Sequence, residues 1–354
     1  MGNTTLGSMV IAAAIATTSP VWAQGTFTPL GTENTYISAM SADGTIVVGV
    51  WGNEGPAWRW TAQTGAVDIG SVSQQVSISR DGRTIVGTAK DSKGIAYASV
   101  WQSGKQWTTL PGPSNGRIQD GQVTSGWDVS ADGSVIVGLA WVNPKGAQGF
   151  RYDVKSGTVT LGSLKGQSSR ASVVSGDGHV VAGWDEVEGS GPWYGAIWWD
   201  GLERLMNPFA LIGQVEGIND SGSVIVGRGH PANWTHAYRF TSWDGHVEDL
   251  GVLSLRDLSG NPAYADYSMA LAVNDDSTVV VGYAGYQPPT DAFIWTPETK
   301  MVKLSTYLTS KGITGHETWT LVNANCVSPD GKIIAGTGFN NRANRVEGYI
   351  VRLP

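Results

Sequence analysis

Three carboxylates fall within four residues at Asp185-Glu186-Val187-Glu188. Such a group can hold a calcium ion or supply the paired acid and base that cleave a glycosidic bond. The spacing departs from the Asp-x-Asp-x-Asp-Gly pattern of a calcium loop, and the adjacent Gly189 and Gly191 read as a solvated turn. With Asp257, Asp266 and His316 these residues form the candidate acids and bases of a hydrolase or lyase acting on an extracellular polysaccharide. The five histidines, His179, His230, His236, His246 and His316, show no metal-ligand spacing, and no serine stands in a nucleophile elbow. Neither a metal nor a cofactor is expected.

A second chemistry is recognition without turnover. Trp141, Trp193, Tyr194, Trp234, Tyr264, Asp266, Tyr267, His316 and Trp319 mix aromatic rings with polar groups. Rings stack on the apolar faces of sugars or peptide side chains while polar groups fix orientation. These residues are the candidate ligand-binding set of an exported, non-catalytic module for a glycan or an extracellular protein; the carboxylate reading is its alternative, and whether the chain is an enzyme stays open.

The elements that must position them come from a repeat. Ser or Asn, a variable residue, Asp, Gly, a run rich in Val and Ile, and a closing Gly recur at Ser41, Ser79, Ser130, Ser175, Asn219, Asn274 and Ser328, seven copies in all. The closing residues Gly49, Gly87, Gly138, Gly183, Gly227, Gly282 and Gly336 stand 38 to 55 residues apart, the spacing of four-stranded propeller blades. Within the motif the Asp-to-Gly distance never varies, because a tight turn sets register between two paired strands. Ser277 replaces the glycine in the sixth copy, so that turn is expected to be strained or of another type.

Six copies continue with a small residue followed three positions later by an aromatic, as in Ala98 to Trp101 and Ala292 to Trp295, and then a short strand such as Asp249-Leu250-Gly251, while the seventh has Gly348 and Val351 at the anchor. The seventh copy lacks that last strand, and Phe27-Thr28-Pro29-Leu30-Gly31 matches it. The expectation is an all-β, seven-bladed β-propeller of four-stranded blades over residues 24–354, a ring closed by its N-terminal strand. Long connections then share one face of the ring, and the candidate residues lie on it.

These repeats resemble the HAF-repeat family of predicted extracellular proteins. His236-Ala237-Tyr238 and Asp291-Ala292-Phe293 approach its tripeptide, and Asp249-Leu250-Gly251-Val252-Leu253 its Asp-Leu-Gly-x-Leu strand. The resemblance implies export and a repetitive β-fold, and brings no established activity.

Composition agrees. The chain has 48 Gly and 16 Trp with only 15% charged residues, a profile of tight turns and large packing side chains. A net charge of −7 without clustered Lys and Arg argues against nucleic acid. The single cysteine, Cys326, excludes an intramolecular disulfide and reads as a buried small hydrophobe. Met9 to Ala16 is apolar and Val21-Trp22-Ala23 places small residues where a signal peptidase reads, so residues 1–23 are expected to be a cleaved leader. No later segment is long and apolar enough to span a membrane, and a secreted or periplasmic monomer is expected.

Overall fold

The computed structural model describes residues 24–52, 55–102, 104, 106–144, 146–186, 193–199, 202–205, 211–230, 235–242, 244–253, 267–285 and 290–354. The expected leader lies outside them, as do Glu188, Trp234, Asp257, Tyr264 and Asp266. Seven four-stranded antiparallel sheets follow one another around an axis as the blades of a β-propeller. The first six blades take residues 35–70, 73–109, 124–162, 169–205, 211–251 and 268–303, each running from its innermost strand outwards. The seventh takes three strands from residues 319–352 and its outermost strand, Thr26–Glu33, from the other end of the chain. Phe27 pairs with Val351 and Pro29 with Tyr349.

The turn motif explains its own composition. In the third blade Ser130 Oγ donates to Asp132 at 2.8 Å while Ser134 N–H donates to the same carboxylate at 2.9 Å. Ser130 Oγ in turn accepts from Val135 N–H at 2.9 Å. Gly133 takes φ +79°, which only glycine adopts cheaply. The sixth blade keeps this turn and its strain: Ser277 sits at φ +63°, a conformation costing a non-glycine residue roughly 1–2 kcal/mol.

Hydrophobic clusters fill the seven blade-to-blade interfaces, and the second strand of a blade serves two of them. Ile136 packs towards the second blade with Val86 and Ala98, whereas Val137 packs towards the fourth with Ala171 and Trp198. That is why these runs are apolar at every position. The small residue of the third strand has a reason too. Its N–H donates to a hydroxyl at the head of the next blade, from Ala98 to Thr124 at 2.9 Å and from Gly149 to Ser169 at 3.0 Å. A larger side chain would hold the blades apart.

Candidate functional site

In six blades the innermost strand carries a β-bulge, where one residue has no partner on the second strand. Gly126 pairs with Gly138 and Asp128 with Val137, leaving Trp127 unpaired; Ala171 and Val173 likewise leave Ser172, and Val215 and Gly217 leave Glu216. The bulge pushes the preceding residue's carbonyl onto the second strand, and this is what demands the closing glycine. A Cβ on Gly138, Gly183 or Gly227 would stand 1.9–2.0 Å from the carbonyl oxygen of Ser125, Arg170 or Gln214. The second blade has a different register between Ser73 and Ser77, and a Cβ on Gly87 would meet only side chains.

The bulges aim one side chain per blade at the axis. Ser38, Trp127, Ser172, Glu216, Leu271 and Asn325, with Gln75 from the second blade, surround a central cavity of about 250 Å³. Asp128 also lines it but is committed to structure, accepting from Ser77 Oγ at 2.7 Å and Val174 N–H at 2.9 Å and so tying three blades together. Burial pushes its pKa up while those donors oppose the shift. Cys326 is buried with its thiol pushed up to about 12 by burial, the inert small hydrophobe expected.

The end of the channel formed by the Asp-Gly turns is drawn shut. Backbone bonds link the variable residue of one turn to that of the next, from Ala131 N–H to Gly176 at 3.0 Å and from Gly176 N–H to Asp220 at 2.9 Å. Arg80 of the second blade crosses the ring, its guanidinium gripping Asp275 at 2.7 and 2.9 Å, with Asp220 3.3 Å from Nε. Gly176 lets the Asp220 side chain lie over it, since a Cβ there would be 1.4 Å from Asp220 Oδ1. Several connections at the opposite, long-loop end lie outside the described residues.

That end is asymmetric. Directly after the closing glycine, the fourth, fifth and sixth blades carry Trp184, Arg228 and Tyr283, where the others carry Val50, Thr88, Leu139 and Thr337. Trp193 is 42% exposed and stacks on Trp184 with centroids 4.8 Å apart and planes 12° from parallel. The Arg170 guanidinium follows, 5.6 Å from the Trp184 ring and 3.9 Å from that of Trp127. Arg170 pairs with Trp184 across the strands, so one face of the fourth blade presents both. On the fifth and sixth blades Arg228 donates to Tyr267 Oη at 2.7 Å, and Tyr267 stacks on Tyr283 at 6.0 Å. Burial raises the pKa of Glu216, with Arg170 and Arg228 pulling it back.

Of the residues singled out in the sequence, Trp193 and Tyr267 belong to this mouth. Tyr194 pairs with Asp185 at the edge of the same blade. Trp141 supports a connection: Arg117 lies 5.7 Å over its ring and bonds its backbone. His316 and Trp319 are 3% and 8% exposed and pack on Phe27 where the ring closes, so burial keeps them from any ligand at the mouth. Asp185 is fully buried, accepting from Ser163 Oγ at 2.7 Å and Leu164 N–H at 2.9 Å, so its carboxylate pins a loop. Among the described residues no group of three His, Cys, Asp or Glu could hold a metal. Glu216, Arg228 and Trp184 are not marked by any motif in the sequence, although each stands at an offset from the turn motif where the residue type varies between copies.

No family model and no curated protein matches the chain. Solved structures match its fold. Oligogalacturonate lyase from Vibrio parahaemolyticus aligns over 93% of both chains at 12% identity with a TM-score of 0.57. The β-propeller domain of the trilobed protease from Pyrococcus furiosus, described as having an open velcro topology, aligns over 90% of this chain and 95% of its own at 13% identity and a TM-score of 0.52. TolB from Acinetobacter baumannii matches at 18% identity and a TM-score of 0.47, and the alignment spans 53% of that chain and 61% of this one. Identities this low establish the propeller and nothing of its activity.

Proposed function

We propose that this chain is an exported binding module that seats a glycan at the long-loop mouth of its channel. One observation carries the reading: Trp193 presents an exposed indole held flat against Trp184, and the stack continues through Arg170 to Trp127 in the channel wall. A rigid aromatic face over a polar channel is the arrangement that sugar rings select. Binding is favoured over cleavage because Asp128, the second carboxylate lining the cavity, already has its hydrogen bonds filled by protein. The oligogalacturonate lyase likeness keeps polysaccharides in view without deciding between the two.

The test is a glycan array followed by calorimetry on the best ligand. Trp193→Ala is expected to weaken binding about tenfold, since an aromatic stacking contact contributes about 1 kcal/mol, and to leave the melting temperature unchanged. A folded protein that bound no glycan, or a variant with full affinity, would remove the proposal. Export belongs to the same reading, and recovery of a mature N-terminus at Gln24 from a cell-envelope or culture fraction checks it.

A further inference from the structure

We infer that the glycan at this mouth is acidic, with a sugar carboxylate received by the guanidiniums of Arg170 and Arg228; the inference rests on the mouth being the glycan site. These two arginines have few protein partners. Among the described residues, Arg170 donates a single hydrogen bond, from Nε to Ser172 Oγ at 3.2 Å, and neither of its Nη groups has an acceptor. Arg228 spends Nη1 on Tyr267. Among the described residues no carboxylate comes within salt-bridge distance of either guanidinium, in contrast to Arg80, Arg151, Arg239 and Arg345, which all have one. An arginine withdrawn from water without an ion pair is costly, and the ordinary remedy is an oxyanion supplied from outside.

Position and orientation fit that role. Arg170 is held between the rings of Trp127 and Trp184, so its planar fork is fixed before any ligand arrives. The same Trp184 lies between Trp193 and Arg170, so a sugar stacked on the outer face of Trp193 is two indoles from the fork, and the carboxylate that reaches Arg170 belongs to a neighbouring residue of the same glycan chain. Arg228, on the second strand of the next blade, is anchored by Tyr267, and both guanidiniums act on Glu216. Among the described residues one carboxylate, Glu216, interacts with both, so two guanidiniums exceed one acid and this cluster carries a net positive charge inside a chain of net charge −7. That local reversal of sign sits where the molecule's non-repeating aromatics are gathered. A uronic acid joins the two demands, having an apolar ring face for the indole and a planar carboxylate for a guanidinium.

Calorimetry with uronic-acid trisaccharides of the galacto, gluco and manno series, their methyl esters and their neutral hexose counterparts tests this. At least one free acid is expected to bind about tenfold or more tighter than its ester and its neutral counterpart, the gain typical of a charge-assisted hydrogen bond to a carboxylate. Arg170→Gln and Arg228→Gln are each expected to bring the free acid down to the affinity of its neutral counterpart measured on the same variant; Arg170→Lys should not restore the preference, because an ammonium lacks the fork. Circular dichroism and melting temperature certify that each variant is folded. Equal affinity of wild-type protein for acid, ester and neutral sugar, with Trp193→Ala still weakening all of them, overturns the acidic ligand and leaves the glycan site standing. Absence of binding to every probe overturns both.

Discussion

At Gly183 a side chain has nowhere to go, because the bulge at Ser172 places the Arg170 carbonyl oxygen 1.9 Å from where a Cβ would stand. Gly183→Ala must break the bulge or part the strands, and is expected to cost about 3 kcal/mol. Gly87, the same residue of the repeat, meets only Val76 and Trp107 side-chain atoms at 3.1–3.2 Å, which can shift. Gly87→Ala should cost about 1 kcal/mol. Urea denaturation of both variants decides it, and equal losses would show that the carbonyl contact is not what keeps the glycine.

Glu216 permits a second prediction at this scale. It is faced by Arg170 and Arg228 and by the buried hydroxyls of Tyr238 and Tyr283. Burial raises its folded pKa above the ordinary 4.5, so its ionised form destabilises the fold above that folded value, and the penalty fades as pH falls through it towards the unfolded value. Glu216→Gln is therefore expected to raise the melting temperature at pH 7 by a few degrees, with the difference from wild type shrinking towards pH 4. A lower melting temperature at pH 7 would mean that attraction to the two arginines exceeds desolvation. The residue was hidden in the sequence because Val215-Glu216-Gly217-Ile218 has the alternation of any half-buried strand.

At the scale of elements the bulge is what could not be read from the sequence. Strands, turns and their order follow from the period-two runs and the Asp-Gly motif, since both are local. A bulge adds one unpaired residue without altering composition, so nothing in the sequence marks Trp127 and Ser172 as the unpaired residues of the innermost strands Thr124–Val129 and Ser169–Val174. The clasp across the turn-side mouth was equally illegible, because Arg80 and Asp275 are 195 positions apart and meet only when the ring is closed. A double-mutant cycle with Arg80→Ala and Asp275→Asn is expected to return about 1 kcal/mol of coupling, the upper range for a partly exposed pair, because the contact is bidentate and its ends sit on rigid turns. Additive losses would mean that the clasp is incidental to the closed mouth.

Closure of the whole ring was legible, because a missing strand in the seventh repeat and a surplus one at the N-terminus can be counted. Its chemistry goes further than strand pairing. Glu347, fully buried, accepts from Gly31 N–H at 2.5 Å, from Arg345 at 3.0 Å and from Asn340 at 3.2 Å, fixing the bend in the closing strand. Phe27 stacks on Tyr349 at 5.5 Å and meets Trp319 edge-on at 5.2 Å. The closing strand also lies against the first blade, where Trp60 Nε1–H donates to the Leu30 carbonyl at 3.2 Å. It therefore joins the last blade to the first, and every other interface depends on that joint remaining shut. Removing residues 24–33 uncovers the edge of Arg345–Arg352, whose core residues Tyr349, Ile350 and Val351 are buried in the intact ring. The truncated chain is expected to lose its single cooperative melt and to associate through that edge, as measured by calorimetry and light scattering. Moving the same ten residues to the C-terminus through a flexible linker should restore both the melt and the monomer, since the strand would reach the same partner. A truncated protein that stayed monomeric with an unchanged melt would show that the blade-to-blade clusters alone hold the ring.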